Sequence, residues 1–131
     1  MPQRLFTVEE ANAMLPVVRG LIAEIQAKKR ELDGLSGELE TLLERASGNG
    51  HDSAARGVVV RAATAEAASE LEGLLTKLQA TGCEPKGIEE GLVDFPSKRE
   101  GRIVYLCWKM GEEEIGYWHE LDTGFPGRQP L

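Results

Sequence analysis

The sequence predicts an α+β fold, in which a long antiparallel helical hairpin packs with a C-terminal antiparallel sheet of three or four short strands. Apolar residues recur every three or four positions across residues 7–81, which is the period of an amphipathic helix. From residue 82 onward, β-branched and aromatic runs are separated by short glycine-rich or charged segments, as hairpins require. The length of 131 residues suits one domain. We therefore expect a single domain over residues 1–131, with the hairpin at 7–81 and the sheet and an irregular tail at 82–131.

The first helix has a start signal and an internal proline. Thr7 and Glu10 have the spacing of a capping box, in which each side chain accepts a hydrogen bond from the other residue's backbone N–H. Pro16 removes one helical hydrogen bond and crowds the preceding turn, so we expect this helix to be kinked or broken near Pro16. The apolar stripe that defines the helix is Leu15, Val18, Ile22, Ile25, Leu32, Leu35, Leu39 and Leu42.

A second helix is expected after a short loop. Residues 47–52 are rich in glycine, asparagine and aspartate, which tolerate left-handed backbone. Gly82 is placed to end the second helix with a left-handed cap. Two long amphipathic helices joined by a short loop should pack antiparallel. The second stripe is Val60, Ala63, Ala67, Leu71, Leu74 and Leu78.

Strands are predicted at residues 91–95, 102–110 and 115–120, with a further short strand around residues 83–86. If residues 110–113 form the loop after the second long strand, Lys109 pairs with Glu114 and Val104 lies opposite His119. His119 then lies at the edge of an apolar face, and Cys107 points to the opposite face. A slip of one residue would reverse these faces.

Charge and composition argue against several partners. The net charge is −7, and the basic run at residues 28–30 is flanked by acidic residues, so nucleic-acid binding is not expected. No apolar run approaches the length of a membrane span, and no secretory signal is recognised, which predicts a soluble cytoplasmic protein. Cys83 and Cys107 are then expected to be reduced thiols.

His119 is the leading candidate for chemistry, because it follows Trp118 at the end of a strand and has acidic neighbours. With Asp94 and Asp122 it would give a mixed nitrogen and oxygen site suited to a transition metal such as zinc or iron. Asp94 could instead cap the turn before Pro96, and the tryptophans and tyrosines could simply form the apolar face on which the helices lie. No paired metal-ligand motif of regular spacing is present.

Several motifs together resemble one protein family. Residues 6–12, Phe-Thr-Val-Glu-Glu-Ala-Asn, resemble one end of the bacterial domain of unknown function 2203 family. The runs at residues 91–96, 104–108 and 117–122, with Gly124 and Phe125, resemble its other end. The resemblance implies a bacterial, cytoplasmic, single-domain protein but supplies no mechanism. It marks five motif positions: Asp94, Trp108, Trp118, His119 and Asp122.

Three functional hypotheses follow. We favour a non-enzymatic interaction or oligomerisation module, a homodimer formed through the helices, because the leucine stripe of the first helix exceeds what a small sheet and one helix can cover. The alternative is a small metal-binding protein or metal-dependent enzyme with a site near His119. A metal-free small-molecule binding protein that uses the aromatic sheet face is the third. The sequence does not decide whether the protein is an enzyme.

Overall fold

The structure is a computed structural model that describes residues 3–45 and 50–131. Two helices are followed by a five-stranded antiparallel sheet with strand order β1-β2-β3-β4-β5. A short 3-10 helix at Phe125–Gly127 lies between the last two strands. The α+β prediction of a long helical hairpin with an antiparallel sheet is therefore confirmed. The elements are α1 (Val8–Arg45), α2 (Gly50–Ala80), β1 (Glu84–Gly87), β2 (Leu92–Arg99), β3 (Arg102–Lys109), β4 (Tyr117–His119) and β5 (Gln129–Pro130).

Helix α1 begins at the predicted capping box and continues through its proline. The Thr7 N–H donates to Glu10 Oε1 (2.9 Å), and the Glu10 N–H donates to Thr7 Oγ1 (3.1 Å). The sequence predicts a kink or a break near Pro16. The break is wrong, because α1 is one helix from Val8 to Arg45, and the kink stays a prediction. Pro16 lies on the exposed side, where water can hydrate the carbonyl that loses its partner. Leu15 directly before it and Val18 two positions after it are held in the core.

Two ion pairs show that α1 and α2 run antiparallel. Lys28 of α1 pairs with Glu70 of α2, and Glu38 further along α1 pairs with Arg56 (2.7 Å), which lies earlier in α2. Of the loop predicted at residues 47–52, residues 47–49 lie outside the described part of the chain. At residues 50–52 the prediction of a loop is wrong, because α2 already begins at Gly50. Within the described residues, neither helix contains an apolar stretch that could cross a membrane.

The core lies between the helices and one face of the sheet. From α1 it contains Leu15, Val18, Ile22 and Ile25, and from the sheet it contains Val93, Phe95, Val104, Leu106, Trp108 and Trp118. Phe6 closes one edge: its N–H donates to the Pro96 carbonyl (2.7 Å), and the Ser97 hydroxyl donates to the Phe6 carbonyl (2.6 Å). The segment before α1 is thereby fixed to β2.

The expected strand count was too low, because the tail contributes a strand. The tail was predicted to be irregular, but Gln129 pairs with Trp118 and Pro130 with Tyr117. The expected strand around residues 83–86 is present as β1. The sheet therefore has five strands instead of three or four.

The predicted register between β3 and β4 was wrong by one residue. Tyr105, and not Val104, lies opposite His119. The loop after β3 extends beyond residues 110–113 because α1 holds it: Asn12 Oδ1 accepts the Ile115 N–H (2.7 Å), and Arg19 donates to the carbonyls of Glu112 and Glu113. Strand β4 consequently starts only at Tyr117.

Candidate metal centre

The register assigns the sheet residues to two faces with different chemistry. Because side chains alternate along a strand, the residues between the core positions point away from the helices. Asp94 pairs with Cys107, Cys107 pairs with Tyr117, and Tyr105 pairs with His119. These residues therefore share one surface, which we call the outer face. Cys107 and His119 lie on the same face, so the expectation that they point to opposite faces is wrong.

Asp94 and His119 form a buried pair on the outer face. His119 Nε2 lies 3.0 Å from Asp94 Oδ1, and each side chain is at most 3% exposed. His119 Nδ1 lies 2.7 Å from the Glu120 carbonyl, and since a carbonyl only accepts, Nδ1 carries a hydrogen. A second proton lies between Nε2 and Oδ1, because two lone pairs at this distance would repel. The pair therefore shares one proton beyond the one on Nδ1.

The Cys107 thiol completes the cluster. Its sulfur, a carboxylate oxygen of Asp94 and a ring nitrogen of His119 all lie within 4.8 Å of one another, and all three residues are buried. Burial and the neighbouring Asp94 raise the pKa of the Cys107 thiol to about 12. The thiol is thus protonated near neutral pH and is not an activated nucleophile.

Burial also shifts the pKa of Asp94. Loss of hydration raises the pKa of this carboxyl above its ordinary value, while His119, Lys86 and a hydrogen bond from Cys107 oppose that rise. Burial has the larger effect, so the net shift of the Asp94 pKa is upward. The proton between His119 Nε2 and Asp94 Oδ1, and the thiol proton, are the two that a metal ion would have to displace.

The C-terminal tail and its neighbours enclose the cluster. The guanidinium of Arg128 donates to the Cys107 carbonyl (3.2 Å) and to Glu112 Oε1 (2.9 Å). It also lies over the rings of Tyr117 (4.0 Å) and Phe125 (4.6 Å). On the other side of the cluster, the Tyr105 ring lies 5.5 Å from the His119 ring. Arg128 therefore fastens the tail beside Cys107.

The donor set fits a tetrahedral transition metal such as zinc. Zinc bonds of about 2.0 to 2.3 Å place neighbouring ligand atoms roughly 3.3 to 3.8 Å apart. His119 Nε2 and Asp94 Oδ1, 3.0 Å apart, would have to separate slightly, and any pair near the 4.8 Å limit of the cluster would have to close. The bond from His119 Nδ1 to a backbone carbonyl is the orientation that metal-binding histidines commonly have. Thiolate, imidazole and carboxylate together favour zinc or iron over magnesium or calcium.

The metal ligands predicted from the sequence do not all lie together in the structure. Asp94 and His119 are together, whereas Asp122 lies exposed in the turn after β4, outside the cluster. Trp108 and Trp118 lie on the core face, where the Trp108 indole donates to the Glu112 carbonyl (3.0 Å). Sequence reasoning missed Cys107 as a partner of His119 because the expected register between β3 and β4 put His119 on the apolar face. The signal that could have found it is the pairing of Asp94 and Cys107 across the β2–β3 hairpin, which a tight turn at residues 100–101 sets.

Comparisons with known proteins place the chain in a family. No curated protein and no solved structure is significantly similar to it. The model of the family DUF2203, described as uncharacterized conserved protein, matches residues 4–131. Because this match covers nearly the whole chain, the protein belongs to the DUF2203 family.

Proposed function

We propose that this protein binds a divalent transition metal, zinc in the first instance, through Asp94 Oδ, Cys107 Sγ and His119 Nε2. The observation that supports this most strongly is the convergence of three chemically different donor atoms, from three adjacent strands, within 4.8 Å in a buried position. Three protein ligands leave a fourth tetrahedral position for water or a small ligand. The protein would thus be a small metal-binding protein whose helices support the sheet.

The test uses protein without a histidine tag, stripped with a chelator and titrated with Zn²⁺ and Co²⁺. We expect one ion per chain and, with Co²⁺, an ultraviolet thiolate-to-metal band that disappears in Cys107→Ser. Loss of an outer-shell partner already weakens metal affinity by about 10- to 100-fold. Loss of a ligand in Asp94→Asn or His119→Gln should therefore weaken Zn²⁺ binding by more than about 100-fold.

Two matched controls make this test specific. Asp122→Asn removes an exposed carboxylate of the same strand end, and Cys83→Ser removes the other buried free cysteine. Both variants should bind zinc as the wild type does. Zinc binding that is unchanged in Cys107→Ser and His119→Gln, or absent from the wild type, would refute the proposal.

A second proposal concerns the helices: the protein forms a homodimer through the end of the hairpin that lies away from the sheet. The buried residues of α1 end at Ile25, although the leucine stripe continues through Leu42. Further along the hairpin the exposed fractions are 54% for Leu43, 66% for Val58 and 55% for Val59. A second copy could cover these side chains in an antiparallel four-helix arrangement, since a two-fold axis brings the same surface of both copies together.

Light scattering and sedimentation at micromolar concentration test the dimer. We expect a dimer that becomes a monomer in the double variant Leu43→Glu/Val58→Glu. Val17→Glu is the control, because Val17 is 51% exposed on α1 but lies near the sheet end of the hairpin. A wild-type monomer would refute this second proposal without affecting the first.

The state of the two cysteines also supports a proposal about the cellular location of the protein. Cys83 and Cys107 are both free and buried, which suits the reducing bacterial cytoplasm that the family resemblance implies. We include this location in the proposal. It would be contradicted by finding the protein in an extracellular or periplasmic fraction.

A further inference from the structure

A cavity lies on the outer face one residue pair along from the candidate metal centre. Its volume is about 330 Å³, at the lower end of the range for small-molecule sites. Leu92 and Lys109, which pair across β2 and β3, line it. Leu92 precedes Asp94 by two positions and Lys109 follows Cys107 by two, so the two pairs are about 7 Å apart along the strands. The cavity therefore adjoins the metal-ligand cluster but shares none of its three residues.

The remaining walls come from the β1 side and the tail. Lys86, Gly87 and Glu90 line one side, and Phe125 of the 3-10 helix lines another. The Lys109 ammonium lies 5.6 Å from the centre of the Phe125 ring. An apolar leucine, an aromatic ring and an ammonium group thus line the same small volume.

The charged side chains that line the cavity differ in whether they form ion pairs. Lys86 pairs with Glu84 (3.2 Å) and lies over the Tyr105 ring (4.7 Å). Glu90 contributes one carboxylate to the lining. Within residues 3–45 and 50–131, Lys109 has no carboxylate at salt-bridge distance. Among the described residues of the lining, the Lys109 ammonium therefore makes no ion pair within 4.0 Å.

Lys86 adds to the positive character of the site. Burial alone would lower the pKa of Lys86, but the hydrogen bond to Glu84 and the nearby Tyr105 outweigh burial, so the net shift is upward. Lys86 is consequently charged near neutral pH. An entering anion would meet two ammonium groups and one carboxylate.

We propose that this cavity binds a small organic anion with an apolar body, its carboxylate on Lys109 and its body between Leu92 and Phe125. The apolar contacts would supply affinity and the ammonium group would select for negative charge. A ring of benzene size suits a volume of about 330 Å³. This binding site is a separate feature from the metal centre and does not require a metal.

The experiment titrates chelator-treated, ¹⁵N-labelled protein with benzoate and with benzamide, its neutral analogue of similar shape. We expect benzoate to shift the amide signals of Gly87, Leu92 and Lys109 and to bind at least about fivefold tighter than benzamide, since a charge-assisted contact is stronger than a neutral one. Because metal is absent, the result is independent of whether zinc binds elsewhere.

Two variants distinguish recognition of the probe's charge from nonspecific binding. Lys109→Met keeps most of the aliphatic stem and should reduce the preference for benzoate over benzamide to less than twofold. Lys98→Met is the control, because Lys98 is an exposed lysine of β2 outside the cavity lining, and it should keep the full preference. The dispersion of the amide spectrum establishes that both variants are folded.

Three outcomes would overturn the proposal: equal affinity for benzoate and benzamide, an unchanged preference in Lys109→Met, or no shifts at the cavity residues up to the solubility limit of benzoate. A second variant, Phe125→Ala, should weaken benzoate and benzamide alike, because it removes the apolar wall and leaves the charge. If Phe125→Ala leaves both affinities unchanged, the cavity is not where the probes bind and the proposal fails.

Discussion

Zinc binding at the outer-face cluster should release about two protons for each ion bound. One is the Cys107 thiol proton, which is present at neutral pH because burial and Asp94 raise the pKa of this thiol to about 12. The other is the proton held between His119 Nε2 and Asp94 Oδ1, which are 3.0 Å apart. The hydrogen on His119 Nδ1 remains, because the Glu120 carbonyl accepts it and the metal does not reach that nitrogen.

Calorimetry measures this number directly. The observed heat of zinc binding depends on the ionisation enthalpy of the buffer, and the slope across several buffers is the proton count. The experiment belongs near pH 6, where a metal-bound water with a pKa of about 7 keeps most of its protons. Zinc affinity should also rise by roughly two powers of ten per pH unit between about pH 6 and 7.

The Cys107→Ser variant assigns one of the two protons to the thiol. Any residual zinc binding in this variant should release about one proton, because only the Asp94–His119 contact then loses one. A wild-type count near zero would show that the ion binds away from this cluster. Equal counts in the wild type and Cys107→Ser would show that the sulfur is not a ligand.

Three further perturbations test the surroundings of the cluster and the fold. The pKa of the Cys107 thiol is raised in the folded state, so its contribution to stability is complete below the thiol pKa of 9.0 in the unfolded chain and is lost as pH rises toward about 12. Between pH 8.5 and about 10.5, the free energy of unfolding of the wild type should therefore fall more steeply than that of Cys107→Ala, as chemical unfolding would measure. Arg128→Met should release the tail and increase iodoacetamide labelling of Cys107, as peptide mass spectrometry would show; unchanged labelling would mean that the tail does not control access. Gly82→Ala places a side chain at a residue with φ +97°, and this backbone strain costs roughly 1–2 kcal/mol of stability. The new methyl group also lies 3.0 Å from the Phe6 ring, and this overpacking costs a further amount of about 1–3 kcal/mol. Gly101→Ala, at φ +80° with nothing nearby, should lose only the first amount in thermal unfolding, so an equal loss at the two glycines would contradict the Phe6 contact.

The helices were predictable because their signals are local. The capping box at Thr7 and the left-handed glycine at position 82 were both read from neighbouring residues, and both are present. The effect of Pro16 was less predictable, because local sequence allowed either a kink or a break and the outcome depended on tertiary packing. The core holds Leu15 before the proline and Val18 after it, and the helix continues without a break.

The candidate site was predictable only in part, because it depends on a loop that α1 fixes. Asp94 and His119 were identified from residue type and strand context. His119 was assigned to the apolar face, opposite to that of Cys107, because a shorter loop shifts every pair between β3 and β4 by one residue. The bond from the Ile115 N–H to Asn12, 103 positions away in the chain, is what lengthens that loop. Nothing in the residues around position 115 signals a contact that distant.

The composition of the outer face argues for chemistry more strongly than any single contact does. Asp94, Cys107 and His119 are each at most 2% exposed, so apolar side chains could fill the same space. Replacing a buried ion pair by well-packed apolar residues is often neutral or stabilising by about 1–4 kcal/mol. The chain instead buries an acid, a thiol and an imidazole, and it fixes the imidazole through a backbone carbonyl. If an apolar replacement is at least as stable, the convergence of three donor atoms is better explained by ligand binding than by folding. Asp94→Leu/His119→Leu measures that difference: a double variant that is as stable as the wild type, yet does not bind zinc, is the result this reasoning requires.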